Sequence, residues 1–199
     1  SSKPNIVIEF REHTGNIGKN LNDCIKKASG DIIGILGADD LWFPKKLEIQ
    51  MDYLCKYNFV CSDKYIIDDS DSVVSFGGNL KNEELGLENL LFRNDVLASS
   101  MIGFKEKFLE CGLFDEEVGN RSEDYALWLR ITEKYKIRYV RKALVGYRIH
   151  GGNLSNKSII DVSAVLERNI QLISVYLSSK EVKIQNAAKS GIAAIFNRF

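Results

Sequence analysis

The sequence lacks an excess of charge of either sign, since 27 Lys and Arg residues balance 27 Asp and Glu. No overall field draws it to nucleic acid or to anionic lipid, so any charged partner has to be held locally. It also lacks an apolar run long enough to cross a bilayer, and its start lacks the basic stretch and apolar core of a secretory signal. Its cysteines, Cys24, Cys55, Cys61 and Cys111, contain no Cys-x-x-Cys pair. That excludes a zinc knuckle or a dense disulfide framework and points to buried thiols in a reducing, cytoplasmic setting. Histidine is scarce, with only His13 and His150. Repeats and low-complexity tracts are absent as well. What remains, 199 residues, suffices for one domain with a real core and a small helical appendage.

Apolar runs and breakers give a first outline of that domain. Ile6 to Ile8 reads as a buried strand, Asn20 to Ala28 as a helix closed by Gly30, and Ile32 to Leu36 as a second strand, together a β-α-β unit. The second strand runs into Gly37, Ala38, Asp39 and Asp40, at the carboxyl end where parallel sheets hold ligands. Pro44 suits the first turn of a helix with Leu47, Met51 and Leu54 on one face. Phe59 to Ile67 and Val73 to Phe76 read as strands joined by a structural turn at Asp68, Asp69, Ser70 and Asp71. Helices are expected over Glu83 to Phe92, before Gly112, and from Ser122, with Leu127, Ile131 and Tyr135 on one stripe. Ile137 to Val140 and Leu144 to Ile149 return to strand. From Ile159 onward the pattern is helical. This tail either packs on the domain or offers an amphipathic face to a partner or a membrane surface.

Three patches carry chemistry. Adjacent carboxylates at the end of an apolar strand are costly to leave unpaired, so Asp39 and Asp40 ask for a cation or for hydrogen-bond donors. With no thiolate or paired histidine beside them, Mg²⁺ or Mn²⁺ fits better than zinc. Glu123 and Asp124 follow Ser122 at a helix start. There a serine cap and acids facing the positive helix end are a sufficient explanation, and a general base at Asp124 is the functional alternative. Arg148 and His150 stand at a strand end, where the cation suits a diphosphate and the imidazole a metal, and where a surface histidine without a role is the plainer reading.

In their order and spacing these patches resemble the family 2 glycosyltransferases of the GT-A fold, from about Glu9 to Ser155. Ala28 to Asp40, followed by Trp42, Pro44, Leu47 and Gln50, resembles that family's metal-site segment. Gly112 to Glu116 with Glu123 to Arg130 resembles its Gly-Phe-Asp-Glu and Glu-Asp segments. Tyr147 to His150 with Asn153, Leu154 and Ser155 resembles its closing Tyr-Arg-X-His and Asn-X-Ser. The resemblance implies an α/β fold, a Rossmann-like, mostly parallel sheet flanked by helices over residues 1–157, with a helical tail over 158–199. It implies that Asp40 and His150 hold Mn²⁺ or Mg²⁺. It implies that Asp39, Asn22, Glu123 and Arg148 contact the substrate and that Asp124 is the catalytic base.

Departures from the pattern are specific. Gly37 stands where many members carry a further aspartate, and Thr14 and Asn16 replace an aspartate and a glycine in a subgroup pattern otherwise met by Glu12, Ile17 and Asn22. The family's opening strand, Pro-Thr-Tyr-Asn-like loop and second strand with nucleobase-binding acids do not appear before Ile6. The domain is therefore expected to be incomplete at its N-terminus, and inactive or weak in donor binding by itself. Without a Gln-X-X-Arg-Trp signature, one sugar per encounter is expected. The resemblance implies direct displacement with inversion, from a nucleotide-diphosphate sugar to a saccharide or lipid-linked saccharide hydroxyl. Its setting would be bacterial surface-polysaccharide assembly at the cytoplasmic face of the membrane. A sugar-nucleotide nucleotidyltransferase and a non-catalytic carbohydrate-binding or scaffold domain are the alternatives.

Overall fold

A computed structural model describes residues 6–8, 10, 12, 14–78, 82–117, 122–150 and 159–197. Glu9, His13 and the Asn153, Leu154, Ser155 segment lie outside them, as does the expected boundary after residue 157. Strands are β1 (Ile32–Gly34), β2 (Leu41–Trp42), β3 (Phe59–Ile67), β4 (Val73–Phe76), β5 (Glu84–Leu85), β6 (Ile102–Phe104) and β7 (Ile137–Arg148). Helices are α1 (Ile17–Lys27), α2 (Lys46–Leu54), α3 (Leu87–Phe92), α4 (Lys105–Glu110), α5 (Glu123–Lys134), α6 (Ile159–Ser174) and α7 (Val182–Phe196).

The sheet runs β1-β6-β3-β7-β2, with β4 on β3 and β5 on β7. The α/β expectation holds, but the sheet is mixed rather than mostly parallel. β3 and β7 form the one parallel pair among the described residues, and the other pairings are antiparallel. Connection length explains one case, because the turn from β3 to β4 is far too short for a crossover and can only return antiparallel. Asp68 builds that turn through its own side chain, which accepts from the backbone N–H of Ser70 at 2.9 Å and of Ser72 at 3.0 Å.

Several local expectations are corrected. Ile6 to Ile8 is not a strand and is largely exposed, because an apolar run becomes a strand only where a ladder receives it. The expected break before Leu144 is absent, and β7 is continuous. Where Arg141 and Lys142 interrupt the apolar pattern, its register against β3 shifts on both sides of Asp63 instead of ending. α1 begins at Ile17 because Asn16 caps it, its side chain accepting from Lys19 N–H at 2.9 Å. The residue that departs from the family's glycine thus starts the helix. On α2 the buried residues are Lys46, Gln50 and Leu54, while Leu47 and Met51 are exposed. Of the four cysteines, Cys61 and Cys111 are buried, but Cys24 and Cys55 are exposed.

Two apolar clusters flank the sheet. The larger joins Phe59, Phe108, Phe114, Leu127 and Trp128 to Ile173, Ile184 and Ala188 of the C-terminal helices. The tail therefore packs on the domain. Gly191 permits the closest approach, since a Cβ there would lie 1.9 Å from the Leu91 carbonyl oxygen of α3. The smaller cluster holds Leu54, Val60, Ile102, Val140 and Leu144. No helix among the described residues is long and apolar enough to cross a membrane.

Candidate functional site

The chain leaves β1 and turns tightly, Asp40 N–H bonding to the Gly37 carbonyl at 3.2 Å, before β2 pairs with Val145 and Gly146 near the end of β7. This brings Asp39 and Asp40 against Arg148 and His150, more than a hundred residues later. Asp40 is only 8% exposed. Its Oδ2 accepts from Ser99 Oγ at 2.5 Å and its Oδ1 from the Arg148 backbone N–H at 3.0 Å. Burial pushes its carboxyl above the usual range, and the bonds from Ser99 and Arg148 pull against that shift. Asp39 Oδ2 lies 3.2 Å from His150 Nε2, so the two late residues and the two early ones do converge.

Arg148 is fully engaged within the protein. Its Nε donates to the Asp39 carbonyl at 2.8 Å, and its other nitrogens reach the Asp68 carbonyl and the Asp71 carboxylate. The acidic turn is therefore more than a connector, because it anchors the arginine beside Asp39. Gly37, where the family resemblance would place a further aspartate, is close-packed. A Cβ there would stand 3.2 Å from both Asp40 Oδ2 and Ser99 Oγ.

The donor set here is two carboxylates and one imidazole, chemistry that suits a hard divalent cation. Among the described residues no three acidic, histidine or cysteine groups are arranged to hold a metal ion, so Asp39, Asp40 and His150 do not form a three-ligand site by themselves. A cation held by one or two carboxylates plus water and substrate phosphate fits such a site, as is usual for Mg²⁺.

A second acidic position lies at the start of α5. Asp124 Oδ1 accepts from the Tyr125 N–H at 2.6 Å. Burial, then the neighbouring charge of Glu123, raises its carboxyl to about 7, while the Lys64 ammonium opposes the rise. Glu123 is itself buried. Ser122 does not cap the helix with its side chain as expected, and its hydroxyl lies 3.0 Å from Asn169 Oδ1 in α6. Lys64 of β3, whose charge acts on Asp124, also lies 5.9 Å from the centre of the Tyr147 ring in β7.

Asn22 is drawn elsewhere. Its side chain accepts from Phe114 N–H and donates to the Phe114 carbonyl, both at 2.8 Å, and reaches Glu116 Oε1 at 2.9 Å. It clamps α1 to the segment before α5, and these bonds lie outside the Asp39 and Asp40 group. Residues not singled out from the sequence are Ser99, Lys64 and Lys46; Gln50 entered only through the family resemblance, with no role attached. A lysine and an aspartate in the middle of the apolar run Phe59 to Ile67 were the available signal for Lys64; nothing in the spacing pointed to Ser99.

The sequence profile of glycosyl transferase family 2 matches residues 1–113. The chain belongs to that family. Among its relatives, an uncharacterized glycosyltransferase of Methanocaldococcus jannaschii is 29% identical over 71% of this chain and 51% of its own length. An Escherichia coli protein, UDP-Glc:alpha-D-GlcNAc-diphosphoundecaprenol beta-1,3-glucosyltransferase WfgD, is 26% identical over 68% of this chain and 52% of its own. The chain thus spans about half the length of these two relatives. In fold it is similar to S. aureus TarS 1-349 in complex with UDP-GlcNAc, with a TM-score of 0.62, 15% identity, and coverage of 92% of this chain and 53% of that one. This family 2 chain shares its mixed α/β architecture with that structure.

Proposed function

We propose that this family 2 chain carries the transfer centre of an inverting glycosyltransferase. It would move a sugar from a nucleotide-diphosphate donor, in the first instance a UDP-sugar, to a saccharide or lipid-linked saccharide hydroxyl. The observation that carries the reading is the pair of contrasting carboxylates, Asp40 held by donors at the sheet end and Asp124 desolvated beyond Lys64. Asp124 takes the proton of the acceptor hydroxyl, whose oxygen forms the new bond to the anomeric carbon as the bond to the diphosphate breaks with its electron pair. A carboxyl titrating near neutral pH is matched to that task.

Asp40 and His150, with water and substrate phosphate, would hold Mn²⁺ or Mg²⁺. Such an ion supplies charge neutralisation for the departing diphosphate. Asp39, Glu123 and Arg148 would contact the substrate, Arg148 also bonding the Asp39 carbonyl, whereas Asn22 fixes α1 outside this group. In this reading residues 1–157 form the transfer unit and 158–199 a helical support. The setting proposed is polysaccharide assembly at the cytoplasmic side of a membrane, with peripheral association.

The test is to incubate the full-length protein with UDP-glucose or UDP-GlcNAc, Mn²⁺, and a GlcNAc-diphosphate lipid acceptor, following UDP release and the anomeric configuration of the product. UDP release with inversion is expected. A donor that binds but is never cleaved would leave a non-catalytic carbohydrate-binding domain, and, in a parallel reaction supplied with pyrophosphate, formation of UTP and a sugar 1-phosphate would point to nucleotidyl transfer instead.

A further inference from the structure

Ser99 occupies a short 3₁₀ turn, Ala98–Ser100, between α3 and β6. Its oxygen accepts from the Gly37 backbone N–H at 2.8 Å. A backbone N–H can only donate, so the single hydroxyl proton is left for Asp40 Oδ2, 2.5 Å away. With Oδ1 taken by Arg148 N–H, each Asp40 oxygen spends one acceptor site inside the protein and keeps another. The carboxylate is thus fixed in direction without being used up.

The turn that carries Ser99 is itself held on both sides. Trp42 Nε1 donates to the Ser99 carbonyl at 2.7 Å. Gln50 Nε2 donates to the Ser100 carbonyl at 2.9 Å, and Gln50 Oε1 accepts from Lys46 Nζ at 2.6 Å. That ammonium lies 4.1 Å from the centre of the Trp42 ring. Lys46 is 1% exposed and Gln50 not at all, although Leu47 and Met51 on the same helix were available to fill the space. Burial lowers Lys46 to about 7. Turning an amide and an ammonium inward is unfavourable unless their bonds fix something, and what Gln50 fixes is the Ser100 carbonyl next to Ser99, with that of Val60 in β3.

We propose that Ser99 is a positioning residue for Asp40: held by Gly37, Trp42 and the Lys46–Gln50 pair, its hydroxyl sets the direction in which the carboxylate offers its remaining lone pairs to a divalent cation. This rests on the reading of Asp40 as a metal ligand given above. The lack of a Cβ at residue 37 belongs to the same device, because any side chain there would crowd the Ser99 hydroxyl and Asp40 together.

The experiment is a Mn²⁺ titration followed by electron paramagnetic resonance in the presence of UDP, with donor kcat and KM measured alongside, for wild type, Ser99→Ala and Trp42→Phe. Ser99→Ala should weaken Mn²⁺ binding about 10- to 100-fold, the loss usual when a partner of a metal ligand is removed. It should also raise the donor KM more than it lowers kcat and keep a cooperative thermal transition. Trp42→Phe keeps the hydroxyl but releases the Ser99 carbonyl, and should show a smaller loss of the same kind. Wild-type Mn²⁺ affinity in Ser99→Ala would overturn the proposal while leaving the family chemistry intact. If Ser99→Ala does not fold, unchanged Mn²⁺ affinity in Trp42→Phe overturns it. Failure of the wild type to take up Mn²⁺ with UDP would overturn the metal reading of Asp40, and this inference with it.

Discussion

Asp40 and Asp124 are both acidic groups drawn out of water, yet the protein treats them in opposite ways. Around Asp40 a hydroxyl and a backbone N–H meet both oxygens, and the Ser99 turn is pinned from β2 and α2. Around Asp124, half-buried at the start of α5, desolvation and the like charge of Glu123 raise the carboxyl, opposed by the Tyr125 backbone N–H and less strongly by Lys64. The first arrangement keeps a charge in one orientation, which is what a ligand needs. The second keeps a proton easy to exchange, which is what a base needs. Burial raises both carboxyls, so the hydrogen bonds and neighbouring charges around them are what distinguish the two proposed roles.

The sharpest way to break this contrast is to remove one carboxylate at a time. Asp124→Asn should lower kcat by about 10²- to 10⁴-fold, the range for loss of a general base, with UDP and Mn²⁺ affinity unchanged. Steady-state kinetics beside a Mn²⁺ titration checks this. Asp40→Asn should reverse the pattern, weakening Mn²⁺ and donor binding at least about 10-fold.

Much of this contrast was legible in the sequence, because acidic pairs placed after a strand or at a helix start are local features. Asp39, Asp40, Glu123, Asp124, Arg148 and His150 were all candidates on that ground, and Asp39, Asp40, Arg148 and His150 meet in the fold. The strands β3 and β4 were also read to the residue, since their apolar runs end at a turn that Asp68 builds within itself. What was not legible depends on long-range placement. Lys46 and Gln50 look like the solvated face of α2, and only the carbonyl of Ser100, fifty residues beyond Gln50, makes that face the buried one. Asn22 looks like a donor contact until Phe114 and Glu116 take up its amide. Ile6 to Ile8 has the composition of a strand, but pairing is a property of the neighbour and not of the run.

Stability offers a second probe of the Asp124 side. Its carboxyl is raised from 3.8 to about 7 in the folded protein, so the folded state holds a proton that the unfolded chain has lost over that window. Stability from this group is therefore present below about pH 4 and is lost as pH rises through about 7. Asp124→Asn should be more stable than wild type at pH 8, on the order of 2 kcal/mol, with the advantage shrinking toward pH 5. Urea unfolding at the two pH values measures it.

Smaller effects sharpen the comparison. Lys64→Met removes the cation that opposes the rise of Asp124. The rising limb of kcat against pH should move alkaline by roughly half to one unit. Gly37→Ala places a Cβ 3.2 Å from Asp40 Oδ2 and Ser99 Oγ. A loss of about two- to five-fold in Mn²⁺ affinity is expected, with no shift of the pH limb, because the crowding falls on the ligand side alone.

The most direct measurement of the central claim is Mn²⁺ and UDP binding by calorimetry in parallel with UDP-sugar turnover, for Asp40→Asn and Asp124→Asn. The account predicts that Asp124→Asn binds as the wild type does and no longer turns over, while Asp40→Asn loses binding. Full turnover in Asp124→Asn, or undiminished Mn²⁺ binding in Asp40→Asn, would contradict it.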